Sequence, residues 1–160
     1  MQTNKEVRVG IADAAIVSAP DTLITMGLGS CIGIALYDNV SKVAGLAHIM
    51  LPYSKDFKNN TNVMKFADTC IPLLLEKMEE KGAKRRNISA RIAGGANMFK
   101  MEGETIGTKN AIAVEEVLHS LKIPIKGKDC GGSIGRTIRI EAEFGNVYVR
   151  KVGSKEELKK

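Results

Sequence analysis

Apolar positions change period several times along the chain, and each change marks an element. "EVRVGIADAAIV" (residues 6–17) and "DTLITMG" (21–27) have the β-branched and aliphatic content of strands, separated by a turn at Ala19-Pro20-Asp21. "IGIALYD" and "KVAGLAHIML" are almost unbroken apolar runs joined at Asn39-Val40-Ser41, which predicts a hairpin whose strands are covered on both faces. "SKDFKNNTN" is polar and predicts a loop. From Val63 to Lys81 the period becomes helical: Phe66, Ala67, Cys70, Ile71, Leu74 and Met78 share one face, and Gly82 stands where a C-cap glycine would end the helix. "SARIAGGANMF" predicts a strand running into a glycine corner. Thr108 is placed to cap a second helix through Leu121, with Ile112, Leu118 and Leu121 on its inner face. "IPIKGKDC" follows, and "RTIRIEAEFGNVYVRKV" alternates around Gly145-Asn146 as a second hairpin. Two helices against many strands predict a single-domain layered α/β sandwich with mostly antiparallel or mixed strands. The final segment, about 153–160, is expected to be a mobile tail.

Composition narrows the class. The chain has 160 residues, 44% of them hydrophobic and 26% charged, which suits one domain with a real core. Aromatics make up 4% and Trp is absent, so the core is aliphatic and sites built on ring stacking are disfavoured. The N-terminal "MQTNKEVRVG" lacks an apolar export signal, and no run approaches the roughly 20 apolar residues of a membrane span. A soluble, cytoplasmic protein without membrane insertion is expected. Three cysteines without a CxxC spacing, and two histidines, argue against a disulfide framework or a zinc site. No metal or cofactor is expected. The net charge of +6 collects at Lys81, Lys84, Arg85 and Arg86, with Lys151, Lys155, Lys159 and Lys160 adding to it. A solvated basic face is the ordinary reading; a nucleic-acid surface would show salt-sensitive oligonucleotide binding.

Candidate chemistry concentrates in "TLITMGLGSCIGIALYDN". Cys31 ends a glycine-rich turn and opens an apolar strand. Thiol catalysis needs a thiolate, a base to exchange its proton, and N–H groups to hold an oxyanion. The turn can aim the backbone N–H groups of Cys31, Ser30 and Gly29 at one spot. The hairpin folds His48 back toward that turn as the base. The alternatives are plain: free cysteines are commonly core, and a histidine on an apolar strand is often a hydrogen-bonded interior group. Cys70 lies on the apolar face of the first helix and reads as packing. Cys130, before Gly131-Gly132, also reads as core, and His119 as facing water. "GLGS" lacks the Lys-Ser/Thr of a phosphate-binding loop.

The residues "APDTLITMGLGSCIGIALYD", "GLAHIMLP", "RIAGGANMF", "IGTKNAIAVEEVLHSLKIPI" and "DCGGSIGRTIRIEAEFGNVYV" together resemble the CheD family of chemoreceptor glutamine deamidases, over nearly the whole chain and in order. The resemblance implies an α/β sandwich with a papain-like site that converts receptor glutamines to glutamates through a Cys thioester. It places the nucleophile on Cys31, the histidine on His48 and the third member on Thr25. It implies as partners the cytoplasmic helices of methyl-accepting chemotaxis receptors and the CheC phosphatase, with Gly95, Asn97 and Phe99 on the surface that meets them. A monomer is expected. The alternative is a mainly non-catalytic adaptor that binds CheC and receptors.

Overall fold

The computed structural model describes residues 4–97 and 105–159. In chain order the elements are β1 (Glu6–Arg8), β2 (Asp13–Ser18), β3 (Thr22–Leu28), β4 (Ile32–Asp38), β5 (Val43–Ile49), α1 (Ala67–Glu80), β6 (Ile88–Gly94), α2 (Ile106–Ser120), β7 (Ile125–Cys130), β8 (Arg136–Glu141), β9 (Asn146–Lys151) and β10 (Glu157–Lys159). They form two five-stranded sheets, ordered β1-β3-β8-β9-β10 and β2-β5-β4-β6-β7. Both are mixed: β1 runs parallel to β3 and β6 parallel to β7, while the other pairs are antiparallel. The layered α/β sandwich expected from the pattern is the architecture observed.

β4 and β5 are buried at every position because both faces of their sheet are covered. Ile32, Ile34, Leu36, Ala47 and Ile49 point to the layer of α1 and α2. Ala35, Tyr37, Ala44 and Leu46 point to the other sheet. A strand that alternates between two apolar layers reads as a continuous apolar run, which is why its period-2 pattern is silent in the sequence. The β4–β5 hairpin and the β8–β9 hairpin at Gly145 (φ 72°) form as expected. Gly82, with φ 104°, donates its N–H to the Glu79 carbonyl at 3.0 Å and ends α1.

Four local readings are corrected. Residues 6–17 are two strands in different sheets, because the chain turns at Ala12 (φ 58°), whose N–H donates to the His48 carbonyl at 2.9 Å. Val63–Lys65 is a single 3-10 turn in which Asn62 accepts the Met64 N–H, and α1 begins only at Ala67 after an extended Phe66. Thr105, not Thr108, caps α2; its hydroxyl accepts the Thr108 N–H at 3.3 Å. Ile112 is 41% exposed, while Ala113, Val114, Val117 and Leu118 carry the inner face of α2. Apart from these four, the final segment, expected to be a mobile tail, carries β10, which pairs with β9 at the sheet edge.

Candidate active site

The two strands of the β4–β5 hairpin place the thiol and the imidazole on one face. Gly33 pairs directly with His48, so both point into the layer between the sheets. Cys31 lies two residues before Gly33 and faces the same way, packed against the inter-sheet core. Cys31 and His48 are thus diagonal neighbours across the hairpin, a relation that sets Cα atoms about 7–8 Å apart. Gly33 adds no side chain beside the imidazole. A Cβ there would come within 2.7 Å of Ile138 Cγ2 and 3.0 Å of Leu28 Cδ1, so the close approach of β8 demands glycine.

Thr25 reaches the imidazole from the facing sheet. Its Oγ1 lies 2.7 Å from His48 Nδ1 and 2.7 Å from the Val9 carbonyl oxygen. A carbonyl can only accept, so the single hydroxyl proton goes to Val9 O, and Thr25 accepts the proton of Nδ1. That proton count selects one tautomer: Nδ1 carries hydrogen, and Nε2 has a free lone pair. Nε2 is buried, and among the described residues it has no hydrogen-bond partner. An unpaired buried nitrogen on the face shared with a thiol is poised to take a proton.

Both titrating groups rest in their neutral forms. Burial pushes the Cys31 thiol above its ordinary value, an effect partly offset by its own backbone N–H. Burial also lowers His48 below the usual imidazole range. Each shift disfavours the charged form, so nothing in the described surroundings holds a standing thiolate–imidazolium pair. Cys31 is partly exposed, whereas His48 and Thr25 are almost wholly buried.

The corner carrying Cys31 is braced from several elements. Gly95 donates its N–H to the Cys31 carbonyl at 2.9 Å, and Ala96 donates to the Gly29 carbonyl at 2.9 Å. Gly94, with φ 120°, passes so near Cys31 that a Cβ would sit 2.1 Å from its carbonyl oxygen. Arg136, 4% exposed, pairs with Asp129 at 3.1 Å and directs Nη1 toward the Gly94 carbonyl at 3.4 Å. Asn110 on α2 donates to the carbonyls of Ser30 and Met50. Neither Asn110 nor Val9 was among the sequence candidates. Val9 acts through its backbone and leaves no side-chain signal. Asn110 did leave one: a polar residue on the apolar stripe that runs through Ala113, Val114 and Val117.

Of the other sequence candidates, Gly29 spends its N–H on the Gly27 carbonyl at 3.1 Å. Among the described residues the N–H groups of Ser30 and Cys31 have no backbone acceptor. Gly95 is buried, its N–H held by Cys31, and Asn97 donates its N–H to Gly132 at 2.8 Å. Phe99 lies outside the described residues. Burial raises Cys70 to about 12 and Cys130 to about 11. Among the described residues no group of three His, Cys, Asp or Glu stands close enough to hold a metal ion, and no helix is long and apolar enough to cross a membrane.

Comparison with known proteins gives a consistent picture. Residues 50–151 match the family model described as CheD chemotactic sensory transduction. A protein of Clostridium botulinum (strain Eklund 17B / Type B), described as "Probable chemoreceptor glutamine deamidase CheD", is 54% identical over 154 residues, covering 94% of this chain and 95% of its own. A protein of Clostridium novyi (strain NT) with the same description is 53% identical over 152 residues, covering 92% and 94%. The family-model match begins beyond Cys31 and His48.

Proposed function

The chain belongs to the CheD family, and on that premise we propose that it hydrolyses the side-chain amide of glutamines on chemoreceptors, giving glutamate and ammonia. Cys31 is the nucleophile, His48 the general base and acid, and Thr25 the residue that orients the imidazole. The observation that carries this reading is the chain Val9 O, Thr25 Oγ1, His48 Nδ1, which leaves Nε2 unpaired on the face where Cys31 lies.

The steps follow from the proton inventory. With a glutamine side chain against the corner, Nε2 takes the thiol proton as sulfur bonds to the amide carbon. The carbonyl oxygen gains the negative charge and is met by the N–H of Cys31, with Ser30 as the second donor. The imidazolium returns its proton to the amide nitrogen, the C–N bond breaks and ammonia leaves a glutamyl thioester. Water then attacks this thioester; His48 takes one of its protons and passes it to the departing sulfur, releasing glutamate. Thr25 is neutral, so it fixes the tautomer throughout but stabilises the imidazolium less than a carboxylate would.

The finer expectations belong to the same reading: the protein acts in the cytoplasm as a monomer, and it meets receptor helices and a CheC phosphatase through the segment that holds Gly95 and Asn97. The decisive experiment is mass spectrometry of a receptor cytoplasmic fragment incubated with wild-type or Cys31→Ala protein. Conversion of specific glutamines by the wild type alone is expected. Equal inertness of both forms on receptors of the same organism would leave the adaptor role as the better account.

A further inference from the structure

Asn110 is the one polar side chain of α2 that is fully buried among the described residues. Its Nδ2 donates to the Ser30 carbonyl at 2.9 Å and to the Met50 carbonyl at 2.8 Å. Both acceptors lie in the segments that build the site: Ser30 immediately precedes Cys31, and Met50 stands two residues beyond His48. Two carbonyl oxygens can only accept, so the amide group has one workable orientation, with its NH2 toward them. Its Oδ1 is then left buried, with no partner among the described residues. A buried acceptor without a donor is uncommon and calls for a reason.

Peptide geometry supplies one. The Ser30–Cys31 peptide is planar and trans, so the Cys31 N–H points opposite to the Ser30 C=O. α2 packs on the helix side of the β4–β5 sheet. The bond from Asn110 therefore draws the Ser30 carbonyl toward the helix layer and turns the Cys31 N–H to the other face, where the thiol and His48 lie. The following peptide is pinned as well, because Gly95 holds the Cys31 carbonyl.

We infer that Asn110 is a positioning residue for the amide hydrolysis: by holding the Ser30 carbonyl it keeps the Cys31 N–H turned outward as an oxyanion donor, and by holding Met50 it ties that corner to the strand of His48. The kinetic consequence rests on the proposed deamidation; the structural consequence does not. Sequence distance hides the link, since Asn110 is 80 residues from Ser30.

The test compares Asn110→Ala with wild type in three measurements. On a receptor fragment, kcat is expected to fall about 10²–10³-fold, the usual cost of one oxyanion donor, with KM unchanged. Alkylation of Cys31 by iodoacetamide, a displacement at a tetrahedral carbon that develops no oxyanion, is expected to change far less than kcat, only by what the lost backbone N–H costs the thiolate. A crystal structure of the variant is expected to show the Ser30 carbonyl turned away from α2 or in two orientations. Alkylation falling in step with kcat, or a Ser30–Cys31 peptide that keeps its orientation, would overturn the inference. Should Asn110→Ala not fold, Asn110→Asp keeps the shape without the donors, and its activity relative to wild type should recover at acidic pH, where a protonated carboxyl can donate one bond. A wild-type chain inert on receptor glutamines would count against the proposed function, and the orientation of the Ser30–Cys31 peptide in the variant would then decide this inference by itself.

Discussion

The sheet containing β4 and β5 has two faces built from alternate residues of the same strands, and they have opposite characters. Toward α1 and α2 the strands present Ile32, Ile34, Leu36, Ala47 and Ile49, met by Cys70, Ile71, Leu74 and Met78, and this layer is sealed and aliphatic. Toward the other sheet the strands present Ala35, Ala44 and Leu46, but the same face also holds His48, and at its open end Cys31. Each layer contains a free thiol. Cys70 is fully buried with its thiol raised to about 12; Cys31 sits at a corner, partly exposed, with an unpaired imidazole on its own face. Reactivity here is therefore a matter of placement within one sheet. A single step along β5, from Ala47 to His48, moves from the sealed layer to the face proposed for catalysis.

Exchanging the two thiols for alanine is the strongest test of that contrast. Cys31→Ala is expected to abolish deamidation, a loss of at least about 10⁴-fold, since removing a nucleophile leaves little beyond binding. Its thermal unfolding should shift little, because the side chain is only partly buried. Cys70→Ala should do the reverse: full activity, with stability lowered by about 1–2 kcal/mol for a small cavity in a sealed core. Parallel activity assays and denaturant titrations on both variants read this directly. Loss of activity in Cys70→Ala at unchanged stability would remove the distinction between the layers.

The next largest effect concerns the link between the sheets. Thr25→Val keeps the volume but removes the acceptor for Nδ1 and the donor to Val9. The tautomer is then no longer selected, and kcat is expected to drop about 10–10²-fold, less than loss of the base itself, which costs about 10²–10⁴. Leaving the buried Nδ1–H unpaired should also cost about 1–3 kcal/mol of stability. Wild-type kcat in Thr25→Val would show that the imidazole is oriented by packing alone.

Much of this arrangement is legible in the sequence, for identifiable reasons. The β4–β5 hairpin is announced by two apolar runs around Asn39-Val40-Ser41, and once it folds, His48 must return toward Cys31. α1 is legible because Cys70, Ile71, Leu74 and Met78 fall at helical spacing. What is not legible depends on partners far along the chain or on the backbone. Residues 6–17 look like one strand because nothing in their composition tells which sheet each half joins; the choice is made by β3 and β5. Ile112 looks interior by type, yet the helix turns it outward. Thr25 is indistinguishable by pattern from any strand threonine. Its role depends on a facing sheet and on a carbonyl of Val9, which no residue type encodes.

The neutral resting pair gives a pH signature that separates Cys31 from a thiol held in a preformed ion pair. With the Cys31 thiol above its usual 9.0 and His48 below its usual 6.5, the span between contains neither thiolate nor imidazolium in quantity. Alkylation of Cys31 in the free protein should therefore be slow at pH 7 and climb about tenfold per pH unit until the raised thiol pKa is passed. A preformed ion pair would instead give fast alkylation with a plateau reaching below pH 6. Because His48 must be neutral to take a proton, the acid limb of deamidation should fall below pH 6.5. A rate profile already half lost at pH 7 would contradict the lowered imidazole.

The smallest expected difference lies between two strand glycines, one on each face. An alanine at Gly33 would place its Cβ 2.7 Å from Ile138 Cγ2, a β-branched side chain restricted at χ1 on the facing strand. An alanine at Gly45 would meet Met78 Sδ at 2.9 Å and Leu74 Cδ1 at 3.2 Å, and the thioether has three torsions with which to retreat. Gly33→Ala should thus cost about 1–3 kcal/mol, the usual range for overpacking, and Gly45→Ala less than about 1 kcal/mol. Gly33→Ala should also reduce activity, because relieving the contact forces β8 and β4 apart beside His48, whereas Gly45→Ala should not. Equal destabilisation with equal activity would mean that the inter-sheet layer yields as easily as the helix layer, and that the packing around the imidazole is no more rigid than the rest of the core.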